Sequence, residues 1–166
     1  MHLTKHTSYA IRALVYTALK DTSNELTTIA EMAETYQISR THLMKIVNQL
    51  ANNGLLKTRR GKHGGLRLAR APEEIMLAEV VKLMEPGMEI ISCADSNDCT
   101  IYEPCSLRNI WKTATEAFMG ELEKHTLADI LKNPEMMAAR LGIAYKGEMA
   151  DISELPPITA CGALPC

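Results

Sequence analysis

The chain has 166 residues, 46% hydrophobic and 23% charged, a globular balance that fits one sizeable domain, or one compact domain with an appended element. Aromatics make up only 4%, with a single Trp and a single Phe, so the core is aliphatic and suits helices better than a β-sandwich. No run of about 18 apolar residues occurs and Met1 to Thr7 carry no apolar signal region, so no membrane partner is expected and the expected compartment is the cytoplasm.

The net charge of -2 hides an asymmetry. Residues 1–72 hold 11 Lys/Arg against 4 Asp/Glu, a net +7, and residues 73–166 hold 7 against 16, a net -9. A basic half beside an acidic half points to a polyanionic partner for the first half only.

In chain order, Thr4 is a candidate N-cap. Tyr9, Ala10, Ala13, Leu14, Tyr16, Thr17 and Ala18 then recur at helical spacing. Asp21 to Asn24 read as a turn. Thr27 or Thr28 caps a second helix to about Thr35, with acids in its first turns. After the break at Tyr36-Gln37-Ile38, Ser39 caps a third helix from Arg40 to Asn52. Its core side is Leu43, Ile46, Val47 and Leu50, and Asn53-Gly54 ends it. Two short helices joined by a tight turn make a helix-turn-helix. The second presents Arg40, Thr41, His42, Lys45, Asn48 and Gln49, side chains that read base edges and phosphates. An ordinary solvated face would include acids, and none occurs between Ser39 and Asn53.

Leu55 to Ala69 follow as two short alternating segments around a Gly-rich basic loop, a hairpin signal. After a helix-turn-helix this reads as a wing, with Arg59, Arg60, Lys62 and His63 at its tip available to the minor groove or to phosphates. A nucleotide-phosphate loop is the competing reading. It lacks Walker spacing and joins strand to strand rather than strand to helix. A helix follows at about 76–84 and stops at Glu85-Pro86-Gly87.

Cys93, Cys99 and Cys105 then fall within thirteen residues as Cys-x5-Cys-x5-Cys, among the turn formers Asp95, Ser96, Asn97, Asp98 and Pro104. Thiols in a polar loop of a cytoplasmic protein suit a metal or cluster better than a disulfide framework. Soft thiolates select zinc or iron–sulfur, and the stretch does not separate the two. From Leu107 to His125 a long helical stripe includes Ile110, Trp111, Ala114 and Phe118, expected to line a dimer interface. Thr126 caps Leu127 to Leu131, and Asn133-Pro134 breaks the helix. Met136 to Leu141 read as a turn or two of helix. The prolines beyond Lys146 suggest a mobile tail, in which Cys161 and Cys166 read as bystanders.

The expected fold is mainly α with a small β-hairpin wing. It comprises a winged helix-turn-helix domain (1–84), a cysteine-rich loop (85–106), a dimerisation helix with a following short helix (107–132) and a C-terminal tail (133–166).

Leu3-Thr4-Lys5, the run Ser39 to Leu50, the wing Arg60 to Leu68, the cysteine triplet and His125-Thr126-Leu127-Ala128-Asp129 together resemble bacterial winged-helix iron–sulfur transcription regulators of the IscR/RirA/NsrR group. The likeness is strongest to its nitric-oxide-sensing repressors and covers about residues 1–132. It implies a homodimer on a double-stranded DNA operator, with Cys93, Cys99 and Cys105 holding an iron–sulfur cluster, [4Fe–4S] ahead of [2Fe–2S]. In the nitric-oxide sensors the fourth ligand is an N-terminal Asp of the other subunit. Here Ser8 stands at that position, so Ser8 and His6 are the candidate ligands. Arg108 occupies the place where IscR-like proteins use His. The expectation is a non-enzymatic repressor whose cluster senses nitric oxide or iron–redox state. The alternatives are a cluster-free thiol-switch regulator and an iron–sulfur electron carrier. The carrier is disfavoured because no second site or catalytic grouping accompanies the cysteines.

Overall fold

A computed structural model of the chain describes residues 2–21, 25–61, 64–87 and 105–145. Helix α1, Lys5–Asp21, is the central post of the fold. Its residues Ala10, Ala13, Leu14, Val15, Tyr16, Thr17, Ala18 and Leu19 are all buried, so it is enclosed on most sides rather than amphipathic. Thr4 precedes it, and its carbonyl accepts the Ser8 amide at 3.4 Å. The Thr4 amide and hydroxyl are donated to Glu85 Oε1 at 2.6 and 2.9 Å, and the buried Thr7 hydroxyl is donated to the same oxygen. A carboxylate distant in sequence thus sits at the helix start, where a negative charge is favoured.

Helix α2, Ile29–Tyr36, is capped by Thr28, with Glu31 closing a capping box. Thr27, the other candidate cap, is fully buried. It pairs instead with Leu66 of the wing through bonds of 2.9 and 2.7 Å. Gln37 takes a left-handed conformation and turns the chain into α3, Arg40–Asn52. Ser39 precedes α3 but makes no side-chain capping bond, so that expected cap is not formed. Strands β1, Leu56–Arg59, and β2, Gly65–Leu68, pair antiparallel with Leu56 opposite Leu68 and Arg59 opposite Gly65. Leu56, Leu66 and Leu68 turn inward while Lys57, Thr58 and Arg59 face out.

A single 3₁₀ turn at Pro72–Glu74 leads to α4, Leu77–Met84. Helix α5, Leu107–Leu122, is followed by α6, Leu127–Ile130, and α7, Pro134–Leu141. The Leu77 amide donates to His125 O at 2.9 Å and the Leu127 amide to Ile75 O at 2.8 Å, tying the start of α4 to the start of α6. Pro134 begins α7 rather than ending structure, since proline is tolerated at the first helical position. Ala138 and Ile143 are buried in the same core as α1, so the segment expected to open the tail contributes to packing as far as Tyr145. The core therefore runs through α1, α3, the wing, α4, α6 and α7 without a break at residue 84 or 132. Among the described residues, no helix is long and apolar enough to cross a membrane.

Candidate functional site

Helix α3 divides its surface by spacing. Leu43, Ile46, Val47 and Leu50 are buried, while Thr41, Met44, Lys45 and Asn48 are exposed. Each set follows the i, i+3, i+4, i+7 rule, so the two stripes lie on opposite sides of the helix. Arg40, His42 and Gln49 are also exposed. Gln49 nevertheless donates its side-chain amide to Leu83 O at 2.7 Å, and the His42 ring lies edge-on to His6 with centroids 6.3 Å apart. These two side chains, seven positions apart on one flank, are turned toward α4 and the start of α1. Thr41, Lys45 and Asn48 remain outward, with Arg40 at the helix N-terminus.

The wing presents Arg59 and Arg60 to solvent beside the same helix-turn-helix. Lys62 and His63, the other expected tip residues, lie outside the described residues. The base of the wing is secured by the Thr27–Leu66 bridge and by Arg67, whose guanidinium holds Asp21 at 2.8 Å. Arg67 is thereby engaged at the base of the wing rather than at its tip. The Thr27 bridge is invisible to hairpin reasoning because it is a long-range pairing of a single residue. Its one sequence trace is a β-branched residue directly before a capping Thr.

The last turn of α4 is a junction. Gln49 reaches Leu83 O from the α3 side, and Glu85 holds Thr4 and Thr7 of the α1 start on the other. Burial alone would raise the Glu85 carboxyl. The hydrogen bonds from Thr7 and Thr4, with the charge of His6 nearby, outweigh it and hold the group below the usual carboxylate range. His6 and Ser8, the candidate fourth ligands, are both exposed on this first turn of α1. Pro86 and Gly87 follow at once and lead into the segment that carries Cys93 and Cys99, which lie outside the described residues. Cys105 is described, half-buried two residues ahead of α5 and in no disulfide among the described residues.

Among the described residues, no group of three or more His, Cys, Asp and Glu is placed to hold a metal ion. The donor chemistry of the triplet fits an iron–sulfur cluster: three soft thiolate donors within thirteen residues of sequence between α4 and α5. Cys161 and Cys166 lie outside the described residues.

Helix α5 buries none of its 16 residues. Ile110 is 61% exposed and Leu107 and Ala114 are also exposed, while Trp111 and Phe118 are half-buried. The Trp111 indole N–H is shielded from solvent with no acceptor among the described residues. Near its C-terminal end the helix is pinned to α4 by Lys82–Glu123 at 2.8 Å.

The model of the Rrf2 family, described as "Iron-dependent Transcriptional regulator", matches residues 3–133. Two similar curated proteins are both named "HTH-type transcriptional regulator NsrR". The one from Oceanobacillus iheyensis is 40% identical over 86% of this chain and 98% of its own length. The one from Bacillus subtilis (strain 168) is 40% identical over 81% of this chain and 93% of its own. Among solved structures, IscR of T. potens aligns with TM-score 0.63 at 22% identity, covering 80% of this chain and 88% of its own. CymR of B. subtilis, titled the global cysteine regulator, aligns with TM-score 0.62 at 23% identity, covering 78% and 95%. These two likenesses show the shared winged-helix fold alone. The curated relatives are named as regulators of transcription, not as enzymes.

Proposed function

Because the chain belongs to the Rrf2 family of iron-dependent transcriptional regulators, we propose that it is a dimeric operator-binding repressor. Its cysteine loop holds an iron–sulfur cluster and makes DNA binding depend on nitric oxide or iron–redox state. Thr41, Lys45 and Asn48, with Arg40 at the helix start, face the major groove, and Arg59, Arg60, Lys62 and His63 of the wing grip the backbone or minor groove. His42 and Gln49, expected among the base contacts, are better suited to setting the position of α3. A double-stranded DNA partner accords with a cytoplasmic protein.

Cys93, Cys99 and Cys105 would hold the cluster, with Ser8 or His6 as the fourth donor and four irons favoured over two. When bound, it supplies iron that a small oxidant or nitric oxide attacks. The chain's own part is mechanical. The loop joins the end of α4 to the start of α5, so tightening or releasing it loads the last turn of α4. That turn is the observation that carries the reading: it is bonded on one side to the recognition helix through Gln49 and on the other to α1 through Glu85. A change at the loop therefore has a short covalent and hydrogen-bonded route to α3.

The homodimer is supported by α5, on whose apolar stripe Ile110 and Ala114 are exposed and Trp111 and Phe118 only half-buried. A twin helix would cover what remains open. The test is anaerobic titration of purified protein with nitric oxide, following visible absorption and operator binding together. Parallel loss of the chromophore and of binding supports the proposal. A colourless, iron-free protein whose binding responds to thiol oxidants would support the thiol switch instead.

A further inference from the structure

Met44 is the apolar member of the outward stripe of α3. It is 47% exposed and lies between Thr41 and Asn48 at helical spacing, beside Lys45. The core stripe of the same helix is complete without it, since Leu43, Ile46, Val47 and Leu50 are each buried to about their full extent. Single exposed methionines are unremarkable on most surfaces. This one sits at the centre of the face that carries Arg40 and Lys45 and lacks acids. A polyanion is therefore the one occupant that the surrounding charge favours. In the major groove, hydrogen-bonding side chains can read every base edge, and the only apolar group on offer is the thymine C5-methyl.

We propose that Met44 is a specificity-determining residue that packs its thioether against a thymine methyl in the operator half-site. Thr41, Lys45 and Asn48 supply the polar contacts around it. The side chain is long and unbranched and its sulfur is polarisable, so it can follow a methyl that shifts slightly with local DNA shape. Such a contact explains the placement of a Met at the middle of a base-reading stripe without demanding any bond that the structure lacks. The proposal rests on the operator-binding reading above and adds which base chemistry one position selects.

The test uses the protein's own choice of DNA. Full-length wild-type protein is used to recover its preferred duplex from a random pool, and each thymine of that duplex is replaced singly by deoxyuridine, which lacks only the methyl. At one thymine per half-site, wild type is expected to lose about three- to fourfold in affinity, the factor that follows from one buried methyl group. Met44→Ala and Met44→Gln are expected to bind the thymine and deoxyuridine duplexes equally, while wild type and variants melt together because the side chain is outside the core. Two results overturn the proposal: no thymine whose methyl matters to wild type, or a methyl penalty that persists undiminished in both variants. Recovery of no enriched duplex at all would instead sink the operator-binding reading on which it stands.

Discussion

Gly65→Ala should unfasten the base of the wing. A methyl added there would lie 2.7 Å from Leu26 Cβ and 2.8 Å from the Thr27 carbonyl oxygen. The second neighbour is backbone, so no side-chain rotation relieves it. The same carbonyl accepts the Leu66 amide at 2.7 Å, and Leu66 O accepts the Thr27 amide at 2.9 Å. Admitting the methyl means separating these segments and stretching both bonds beside a fully buried Thr27, where no water can replace them. Two backbone bonds at about 1 kcal/mol each, or overpacking at about 1–3 kcal/mol, are alternative ways of relaxing one clash and do not simply add. The expected loss is therefore about 2–3 kcal/mol, a fall in Tm of roughly 4–12 °C for a chain of this size. Thermal unfolding at fixed protein concentration measures it. Gly120→Ala is the control: it lies in α5, where an added Cβ meets nothing within 4 Å. If Gly65→Ala melts with wild type to within about 1 °C and binds operator unchanged, the Thr27–Leu66 bridge does not hold the wing.

Arg60→Ala should weaken operator binding uniformly across sequences and flatten its salt dependence by about one counterion per subunit; an unchanged slope would remove Arg60 from the interface. Ile110→Glu should dissociate the dimer, because it places an unpaired carboxylate in the seam, and a dimer that survives in sedimentation at low micromolar concentration would exclude this stripe of α5. Ser8→Asp should prolong the life of the cluster in air while Ser8→Ala changes little, and a large loss of iron in Ser8→Ala would make the serine oxygen itself a ligand. Glu85→Ala should cost about 1–2 kcal/mol at neutral pH, after allowance for the exposure of the carboxylate. The Glu85 pKa is lowered on folding, so its contribution is fully present above the ordinary carboxylate range and lost as pH falls through the folded value; urea midpoints of parent and variant that fail to converge on acidification would refute that assignment.

The helices were legible wherever a repeating apolar pattern met a clear stop. Helix α3 runs from Arg40 to Asn52 as its spacing predicts, because Leu43, Ile46, Val47 and Leu50 admit only one helical face. The hairpin was legible because alternation flanks glycines. Contacts between distant residues were not. The local pattern Thr28-x-x-Glu31 marks Thr28 rather than Thr27 as the cap; what Thr27 does instead depends on a partner 39 positions on, at Leu66. Thr4 likewise looks like a cap, and nothing local announces that Glu85, arriving from the end of α4, accepts its hydroxyl and amide. For α7, Pro134 was read as a breaker although proline is equally a helix starter, and the deciding fact is the burial of Ala138 against α1. At the candidate interface, a helical repeat identifies the polar side of α3 but cannot rank the side chains on it. Gln49 and His42 look like base readers by type, and the packing of α4 and α1 beside them turns both away from the outward stripe.

That division has an energetic consequence. Gln49 gives one of its two Nε2 hydrogens to Leu83 O and keeps the other, with Oε1, so the bond fixes where the amide lies without exhausting it. A base contact that pulled the amide away would leave a carbonyl of the last turn of α4 without that partner. Operator binding that keeps the Gln49 bond leaves α3 fixed to α4. Binding that breaks it would remove this one tie between α3 and the helix end to which the cysteine segment is attached. Control of the operator through this bond therefore requires Gln49 to stay on α4. By linkage, whatever factor the loop contributes to operator affinity the operator must return to the loop. The outward stripe of Thr41, Met44, Lys45 and Asn48 can then specify sequence while the flank of His42 and Gln49 carries the coupling, and each can be altered without rewriting the other.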